Sequence, residues 1–265
     1  MIKRPLSPSA PPLTGAGGFT LLEIAIVMVI IGILAGGGVS LMRMLTERKA
    51  RNGTVEYLQQ VRTALISYAA INGHLPWADS NGDGIENSGT TNGTLPYATL
   101  QIAPSDAYKR SLRYEINANL TGSRSSTCNA LRAGLSIRPL VVDADGAATA
   151  FSVAAVLVSA GPMDADSNGN VFDALTSGSH QGNNSNGTPN YLRNPPVLSF
   201  DDLTAYIGGN ELSAHVCEFL SLAVNNNSGS TVYVYDANQG TNIASLPSGS
   251  IGSFNIISGT RIEMH

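Results

Sequence analysis

Two loops rich in Asp, Asn and Gly contain the residues of this sequence best suited to bind a metal ion. In the first loop, residues 79–86, side-chain oxygens recur at Asp79, Asn81 and Asp83, and a Gly occupies the sixth position. Hard oxygen ligands on alternating residues of a tight turn are typical of the start of an EF-hand calcium loop. The Glu expected at position twelve is missing, so Glu86 would have to complete the site at a closer spacing. The pattern predicts a calcium site without a full EF-hand sequence.

The second loop repeats this pattern with Asp164, Asp166 and Asn168, and Asp173 could stand in for the missing Glu. The string Ala-Asp-Ser-Asn-Gly occurs in both loops, so the register of the second loop is ambiguous. Asp, Asn and Gly are also common turn formers, and such loops are often simply solvated. Calcium binding and plain solvated turns are therefore alternative interpretations of both loops.

The other reactive side chains lie in no arrangement typical of an enzyme. The four histidines stand in separate sequence contexts without the spacing of metal ligands: His74, His180, His215 and His265. The sequence contains neither a Gly-x-Ser-x-Gly nucleophile motif nor a phosphate-binding Walker loop. We therefore predict no enzymatic activity and no required cofactor, with calcium as the one candidate ion.

Charge excludes one class of partner. Residues 72–265 carry 8 Lys and Arg against 16 Asp and Glu, within a chain of net charge −4. Sequence-independent nucleic-acid binding needs clustered basic side chains. We therefore expect no nucleic-acid partner. Only 13% of all residues are charged, and small polar residues and Gly are plentiful, which favours a loop-rich domain.

A membrane-length apolar segment begins close to the N-terminus. Residues 19–42 are almost entirely apolar and number 24, whereas about 20 residues suffice to span a bilayer as a helix. Glu23 lies inside this segment, although an isolated carboxylate is costly in hydrocarbon and seeks a partner there. The preceding residues 1–18 contain Lys3 and Arg4 and end in small residues. A carboxylate at this place predicts a functional role for Glu23.

Residues 18–23, Gly-Phe-Thr-Leu-Leu-Glu, and the apolar run behind them resemble the N-terminus of type IV pilins and type II secretion pseudopilins. The resemblance implies that a prepilin peptidase/methyltransferase cuts the chain after Gly18 on the cytoplasmic side and methylates the new N-terminal Phe19. It also implies that Glu23 of an incoming subunit meets the N-terminal amine of its neighbour. The close match is confined to this N-terminal segment.

The resemblance implies a structural function, as a minor pilin or pseudopilin in a type IV pilus or type II secretion filament. Its partners would be other pilins or pseudopilins, contacted through the N-terminal helix. The chain would cross the inner membrane once, with a cytoplasmic leader and a periplasmic head. Charge alone favours the opposite orientation, because Arg43, Arg48 and Lys49 follow the apolar run. The alternative is a signal-anchored extracytoplasmic binding or adhesion protein that does not polymerise.

The helix is expected to continue beyond the apolar segment as an amphipathic extension. Apolar side chains recur there every three or four residues, at Val55, Leu58, Val61, Leu65 and Tyr68, flanked by Tyr57, Ala64 and Ile71. This stripe predicts packing on a sheet. The helix should end near Gly73, ahead of Pro76. Its length would be about 80 Å at 1.5 Å per residue.

The remaining residues predict a mixed head. Strands are expected at residues 112–116, 151–158, 232–235 and 254–264. In the first strand, alternation places Leu112, Tyr114 and Ile116 inward and Arg113 and Glu115 outward. A capping box at residues 199–202 predicts a short helix through Leu203, Tyr206 and Ile207. A second helix, capped by Asn210, would turn Leu212, Val216, Phe219 and Ala223 inward.

These elements together predict an α+β fold, with a long N-terminal helix packed on an antiparallel sheet and a loop-rich head. The expected divisions are a leader at 1–18, a transmembrane and assembly helix at 19–42, an amphipathic extension at 43–72 and a globular extracytoplasmic head at 73–265. Because the head would fold outside the cytoplasm, the two cysteines, Cys128 and Cys217, are expected to form a disulfide. A buried free thiol at Cys217 is the alternative.

Overall fold

The computed structural model describes residues 18–143, 150–176, 181–193, 199–217, 219–237, 240–257 and 261–265. The chain divides into two compact units, one ending at Arg48 and the other starting at Lys49. The predicted leader, apart from Gly18, lies outside the described residues. The fold is α+β with a long N-terminal helix and mostly antiparallel strand pairs, as the sequence predicts.

The helices of the described residues are α1 Leu21–Asn72, α2 Arg124–Ala133 and α3 Gly209–Val216, with a short 3-10 turn at Ala118–Leu120. The first strands are β1 Asn92–Thr94, β2 Arg113–Ile116, β3 Leu140–Asp143, β4 Phe151–Ser152, β5 Ala155–Ser159, β6 Ala174–Leu175 and β7 Gly182–Asn183. The later strands are β8 Tyr191–Arg193, β9 Leu203–Ile207, β10 Phe219–Asn225, β11 Val232–Asp236, β12 Thr241–Leu246, β13 Ile251–Ile257 and β14 Ile262–Met264.

Helix α1 has 52 residues and so a length of about 80 Å. It ends where the sequence predicts, because Gly73 adopts a positive φ of 83° and donates its N–H to the carbonyl of Ala69. The guanidinium of Arg124 donates to the carbonyls of Ala70 and Ile71, two of the groups that a helix end leaves unsatisfied. The helix contains a stretch long and apolar enough to cross a membrane.

The C-terminal part of α1 packs on a four-stranded antiparallel sheet of order β1-β2-β5-β9. Strand β5 is buried on both faces. Its Leu157 joins Leu58 and Leu65 of α1 in the main core, whereas its Val156 lies in a second core with Tyr191 on the opposite face. The predicted packing of an amphipathic helix on a sheet is confirmed, and the opposite face of that sheet packs against Val141 of β3 and Tyr191 of β8, two strands of the sheet β4-β3-β8.

The buried stripe of α1 is rotated slightly from the predicted one. Thr54 and Ala69 are completely buried, whereas Val55 is 43% and Ile71 79% exposed. At 100° per residue, positions 54, 58, 61, 65 and 69 form a tighter row than the predicted set. The sequence therefore predicts the packed helix correctly but misplaces two of its side chains.

The helix predicted through Leu203, Tyr206 and Ile207 is wrong, because these residues form strand β9. All five residues of β9 pair antiparallel with β5. The spacing of the apolar residues suits a helix as well as a strand, and the sheet edge offers a full row of backbone partners. Pairing with a distant strand therefore overrides the local capping signal.

The second predicted helix is correct only at its start. Helix α3 ends at Val216, with Leu212 and Val216 fully buried as expected. Gly208, and not Asn210, is its N-cap. The following segment is strand β10, which pairs antiparallel with β13 over seven residues. The inward helical positions predicted for residues 219 and 223 are therefore wrong.

The other predicted strands occur, with smaller differences. The run at 151–158 forms two strands, β4 and β5, which belong to different sheets. The run at 254–264 forms parts of β13 and β14, and residues 258–260 between them lie outside the description. One pair, β3 with β8, is parallel, so the sheets are not purely antiparallel.

Strand β2 is not half-exposed as predicted. Glu115 is only 3% exposed. Arg138 donates to both of its carboxylate oxygens at 3.0 and 3.1 Å, and the hydroxyl of Tyr191 donates at 2.7 Å. Because these groups come from distant segments, the alternation within β2 could not reveal them.

The two cysteines are joined by a disulfide in the structure. Cys128 lies in α2 and Cys217 is the C-cap of α3, with their Cα atoms 5.6 Å apart. Both residues are buried in the main core. The bridge closes a chain segment across a sequence separation of 89 residues and holds α2 to α3.

Candidate functional site

The first turn of α1 is closed by a reciprocal pair of side chains. The backbone N–H and the hydroxyl of Thr20 donate to one carboxylate oxygen of Glu23 at 2.9 and 3.0 Å. The N–H of Glu23 donates back to the Thr20 hydroxyl oxygen at 3.2 Å. This is a capping box, which satisfies backbone donors that a helix start leaves without partners. Glu23 therefore has a local structural role, which the sequence argument did not consider.

The junction between Gly18 and Phe19 lies just outside the helix. Helix α1 begins at Leu21, and Phe19 is 82% exposed. A peptide bond in this position is free of helical hydrogen bonds and open to a protease. Cleavage after Gly18 and methylation of Phe19 stay predictions.

The described apolar side chains that follow are exposed and lie in none of the cores formed by the described residues. Every described side chain between residues 21 and 49 is exposed, including Leu21 at 90% and Leu34 at 69%. A contiguous exposed apolar surface of this length marks contact with a membrane or with other proteins. The stretch therefore lacks its natural surroundings in the isolated chain.

The first Asp/Asn/Gly loop is organised around one buried carboxylate. Asp79 is 1% exposed and accepts the N–H groups of Asn81, Gly82 and Gly84 at 2.7 to 2.9 Å. These hydrogen bonds lower the pKa of Asp79 in spite of its burial, which acts in the opposite direction. Asp79 is thus satisfied by the turn that it closes.

The remaining predicted ligands of this loop point to other partners. The Glu86 carboxylate accepts from the hydroxyl of Tyr68 and the N–H of Trp77, both at 2.9 Å. Asn81 donates to Asp83 at 2.9 Å, and both side chains are exposed. The loop, which lies entirely within the described residues, does not bring three acidic side chains together. Calcium binding at this loop stays a prediction. Few of its side-chain oxygens are left to act as ligands, because most already accept hydrogen bonds.

The second loop does bring its acidic residues together. Asp164, Asp166 and Asp173 each offer an oxygen within 4.8 Å of the others. Asp164 accepts the N–H groups of Asn168 and Gly169, and its pKa is lowered by these bonds. Asn168 donates its side-chain amide to Asp166 at 2.7 Å, so it serves the loop as a donor. Calcium at this loop likewise stays a prediction.

Two further carboxylates, Asp201 and Asp202, lie against the buried end of this loop. Their oxygens and those of Asp173 also lie within 4.8 Å of one another. Asp202 accepts the N–H of Asp173 at 3.0 Å, and Asp173 accepts the N–H of Asp201 at 2.6 Å. Asp173 is thus shared by two acidic groups. We call Asp164, Asp166, Asp173, Asp201 and Asp202 together the acidic cluster.

Burial sets the electrostatics of the acidic cluster. Burial first, and then the Asp173 carboxylate, raise the pKa of Asp202 to about 8. The same two causes raise the pKa of Asp201 to about 6. Asp202 is 3% exposed and Asp173 is fully buried. The apolar surroundings therefore disfavour negative charge at the place where three carboxylates meet.

Sequence reasoning missed Asp201 and Asp202 because it assigned them to a helix cap. They lie 28 and 29 residues from Asp173, and strand β9, which starts at Leu203, holds them in place. Gly161, with a positive φ of 60°, permits the chain after β5 to approach Asp201, since a Cβ there would collide with that residue. The only local signal is an Asp-Asp pair in front of an apolar run.

No family model, no curated protein and no solved structure matches this chain.

Proposed function

We propose that this chain is a structural subunit, a minor pilin or pseudopilin, of a type IV pilus or type II secretion filament. A prepilin peptidase/methyltransferase would cut it after Gly18 and methylate Phe19. The observation that carries the proposal is the sequence Gly-Phe-Thr-Leu-Leu-Glu at residues 18–23, whose last three residues begin the apolar helix α1. A secretory signal would instead have its cleavage site after the apolar region.

The exposure of the first part of α1 supports assembly through this helix. Its described apolar side chains are exposed, and its length suffices to cross a bilayer. A helix of this kind can reside in the membrane before assembly and pack against equivalent helices afterwards. Both situations bury the same apolar surface, which makes the transfer between them feasible.

Glu23 would then have two duties. Within its own chain it closes the capping box with Thr20. Its negative charge would also attract the amine that cleavage creates at Phe19 of a neighbouring subunit, because an unpaired carboxylate is costly in an apolar environment. The capping box holds Glu23 at the helix start, close to where such an amine would arrive.

The proposed partners are the processing enzyme, the inner membrane and the other subunits of the filament. The leader would lie in the cytoplasm and the head in the periplasm or on a surface filament. The disulfide between Cys128 and Cys217 supports this location, because such bonds persist in oxidising compartments.

Two substitutions at Glu23 separate its two duties and test the proposal. Glu23→Val removes both the cap and the charge, whereas Glu23→Gln keeps the capping acceptor and removes only the charge. We expect both variants to insert into membranes and neither to enter sheared filaments, as measured by immunoblotting the two fractions. Normal incorporation of Glu23→Gln would show that Glu23 acts only as a cap. Normal incorporation of Glu23→Val would contradict any role in assembly.

A further inference from the structure

Two carboxylates of the acidic cluster, Asp201 and Asp202, each keep one buried oxygen without a hydrogen bond, whereas three other buried carboxylates of the described head have full sets of partners. Glu115 is paired with Arg138, and Asp79 accepts three backbone N–H groups. Asp106 accepts two backbone N–H groups and the Ser159 hydroxyl. These cases show how this fold ordinarily neutralises a buried acidic side chain.

Asp202 has no comparable set of partners. Its Oδ2 atom accepts the N–H of Asp173, and a hydrogen bond with the Asn184 side chain also lowers its pKa, whereas its Oδ1 atom is buried without a hydrogen bond. The Oδ1 atom of Asp201 is buried and without a hydrogen bond as well. Among the described ion pairs, none involves Asp173, Asp201 or Asp202. Buried polar atoms without partners are rare, and buried carboxylates without a counter-charge are rarer.

Two basic side chains, Arg110 and Arg51, lower the pKa of Asp201 by their charge, and neither forms one of the described ion pairs with the three carboxylates. The guanidinium of Arg110 donates to the carbonyls of Ala160 and Pro162 at 3.1 and 3.0 Å. It therefore does not compensate the three carboxylates. A cation from solution is the remaining means of neutralising them in their ionised form.

The spacing of the oxygens suits one particular cation. Calcium binds oxygen ligands at about 2.3–2.6 Å, so two ligands of one ion lie at most about 5 Å apart. The oxygens of Asp173, Asp201 and Asp202 fall within 4.8 Å of one another. Magnesium requires about 2.0–2.1 Å and near-ideal octahedral geometry, and it usually retains water. A buried site of three carboxylates therefore favours calcium.

We infer that Asp173, Asp201 and Asp202 bind one calcium ion at the buried end of the acidic cluster. Asp173 accepts backbone N–H groups from Ala165, Asp166 and Asp201, as a loop-bound ligand can while it also contacts an ion. Asp164 and Asp166 are less suited to hold the ion, because their side chains are more exposed than those of Asp173 and Asp202. The inference does not depend on the proposed filament role. It concerns the head alone and stands or falls separately.

The ion would join two parts of the head that are distant in sequence. Asp173 directly precedes β6, and Asp202 directly precedes β9, the edge strand of the four-stranded sheet. A shared cation would therefore fasten the peripheral loop at residues 164–173 to the central sheet. Metal binding of this kind adds its free energy to folding.

The test uses the full chain in detergent, stripped with EDTA and titrated with CaCl2 by calorimetry, with thermal unfolding measured in parallel. MgCl2 serves as the control ion. At calcium concentrations about 100-fold above Kd we expect the head to melt roughly 5–10 °C higher. We expect a stoichiometry near one ion per chain and a much smaller response to magnesium.

Asp202→Asn distinguishes a metal ligand from a structural side chain. It keeps an oxygen to accept the N–H of Asp173 but removes the buried charge. In EDTA the variant should melt at or above the temperature of the wild type, because a buried carboxylate without a counter-charge is lost. Its calcium affinity should fall roughly 10–100-fold, the range that even outer-shell partners of metal ligands show. A structural role would instead lower stability in EDTA.

Asp83→Asn in the exposed first loop is the matched control and should keep the whole calcium response. If Asp202→Asn fails to fold, the partly exposed Asp201→Asn decides the matter by the same criteria. Absence of both heat and thermal shift in the wild type would overturn the inference. An undiminished calcium response in the Asp202 or Asp201 variant would overturn it as well. Loss of the calcium response in Asp83→Asn would also overturn it, because it would place the ion in the first loop.

Discussion

The two parts of helix α1 share a helical backbone but differ in the burial of their side chains. Up to Arg48 the described side chains are exposed and mostly apolar, whereas from Thr54 onward one face is buried in the core of the head. Leu34 is 69% exposed and Leu65 is completely buried, although both are Leu within the same continuous helix. The second part packs in the core of the head, whereas the described side chains of the first part are exposed.

This difference separates the part of α1 that folds with the head from the part that we propose for assembly. The second part contributes to the stability of the head, because its apolar face is already removed from water. None of the described side chains of the first part belongs to that core, and its apolar surface stays exposed. If the two parts are independent, changes in one part should leave the behaviour of the other part unchanged.

The largest effect is expected from removing the first part altogether. A chain starting at Lys49 should fold cooperatively and remain soluble without detergent, because it retains the whole core of its unit. The full chain should require detergent. Size-exclusion chromatography and circular dichroism of both chains provide the measurement. Aggregation of the shortened chain would mean that the head depends on the first part after all.

A second effect concerns the disulfide, which lies wholly in the unit that begins at Lys49. Replacing both Cys128 and Cys217 with Ser should lower the free energy of unfolding of the head by about 4–5 kcal/mol in the chain-entropy model. Denaturant titration measures this loss. Membrane insertion of the full chain should be unchanged, and a loss of insertion would contradict the separation of the two parts.

A matched pair of Leu variants gives the sharpest comparison along the helix. Leu65→Ala should lower the free energy of unfolding of the head by roughly 2–5 kcal/mol, because it leaves a cavity in a packed core. Leu34→Ala should leave that free energy unchanged, since the side chain touches no core. Urea titration of both full-length variants in detergent compares them directly. Equal effects would refute the distinction.

A smaller effect on the stability of the head is expected at alkaline pH from two tyrosines in the second part of α1, Tyr57 and Tyr68. Burial is the main cause that raises the pKa of Tyr57 to about 12, and the charge of Asp106 adds to it. Burial also raises the pKa of Tyr68 to about 12, together with the hydrogen bond to Glu86 and the charge of that carboxylate. Because the unfolded chain ionises near pH 10, the folded state holds more protons between pH 10 and 12. Stability should therefore fall as the pH rises through this range.

The measurement is an absorbance titration of tyrosine ionisation alongside unfolding monitored by circular dichroism. Tyr57→Phe should weaken the alkaline loss, because it removes one group that must ionise on unfolding. An unchanged stability from pH 10 to 12 would show that these tyrosines are not held as the structure places them.

The sequence predicts the part of the fold that is encoded locally. The stripe that includes Leu58, Val61 and Leu65 has the helical period, and Gly73 stops the helix where its positive φ is needed. Strand β9 was missed because Leu203 and Ile207 also suit a helix, and only pairing with the distant β5 decides between them. Non-local backbone pairing is what single-sequence patterns lack.

The two Asp/Asn/Gly loops teach the same lesson for the site. Their sequences are nearly alike, and both Asp79 and Asp173 accept N–H groups of their own loop, but only Asp173 also meets carboxylates from another segment. Motif spacing therefore predicts both loops as equal candidates. Asp201 and Asp202 make them unequal, and no local pattern could place these two residues beside Asp173.

The central claim is that the chain is processed at Gly18 and assembled through α1. N-terminal peptide mass spectrometry, on sheared surface filaments and on membranes of the same cells, tests it most directly. We expect a peptide that begins with methylated Phe19. Its presence in the sheared fraction would identify a pilus component, and its confinement to membranes would identify a secretion pseudopilin or an initiation subunit. Only uncut chain in the membranes would contradict the account and favour a signal-anchored protein that does not polymerise.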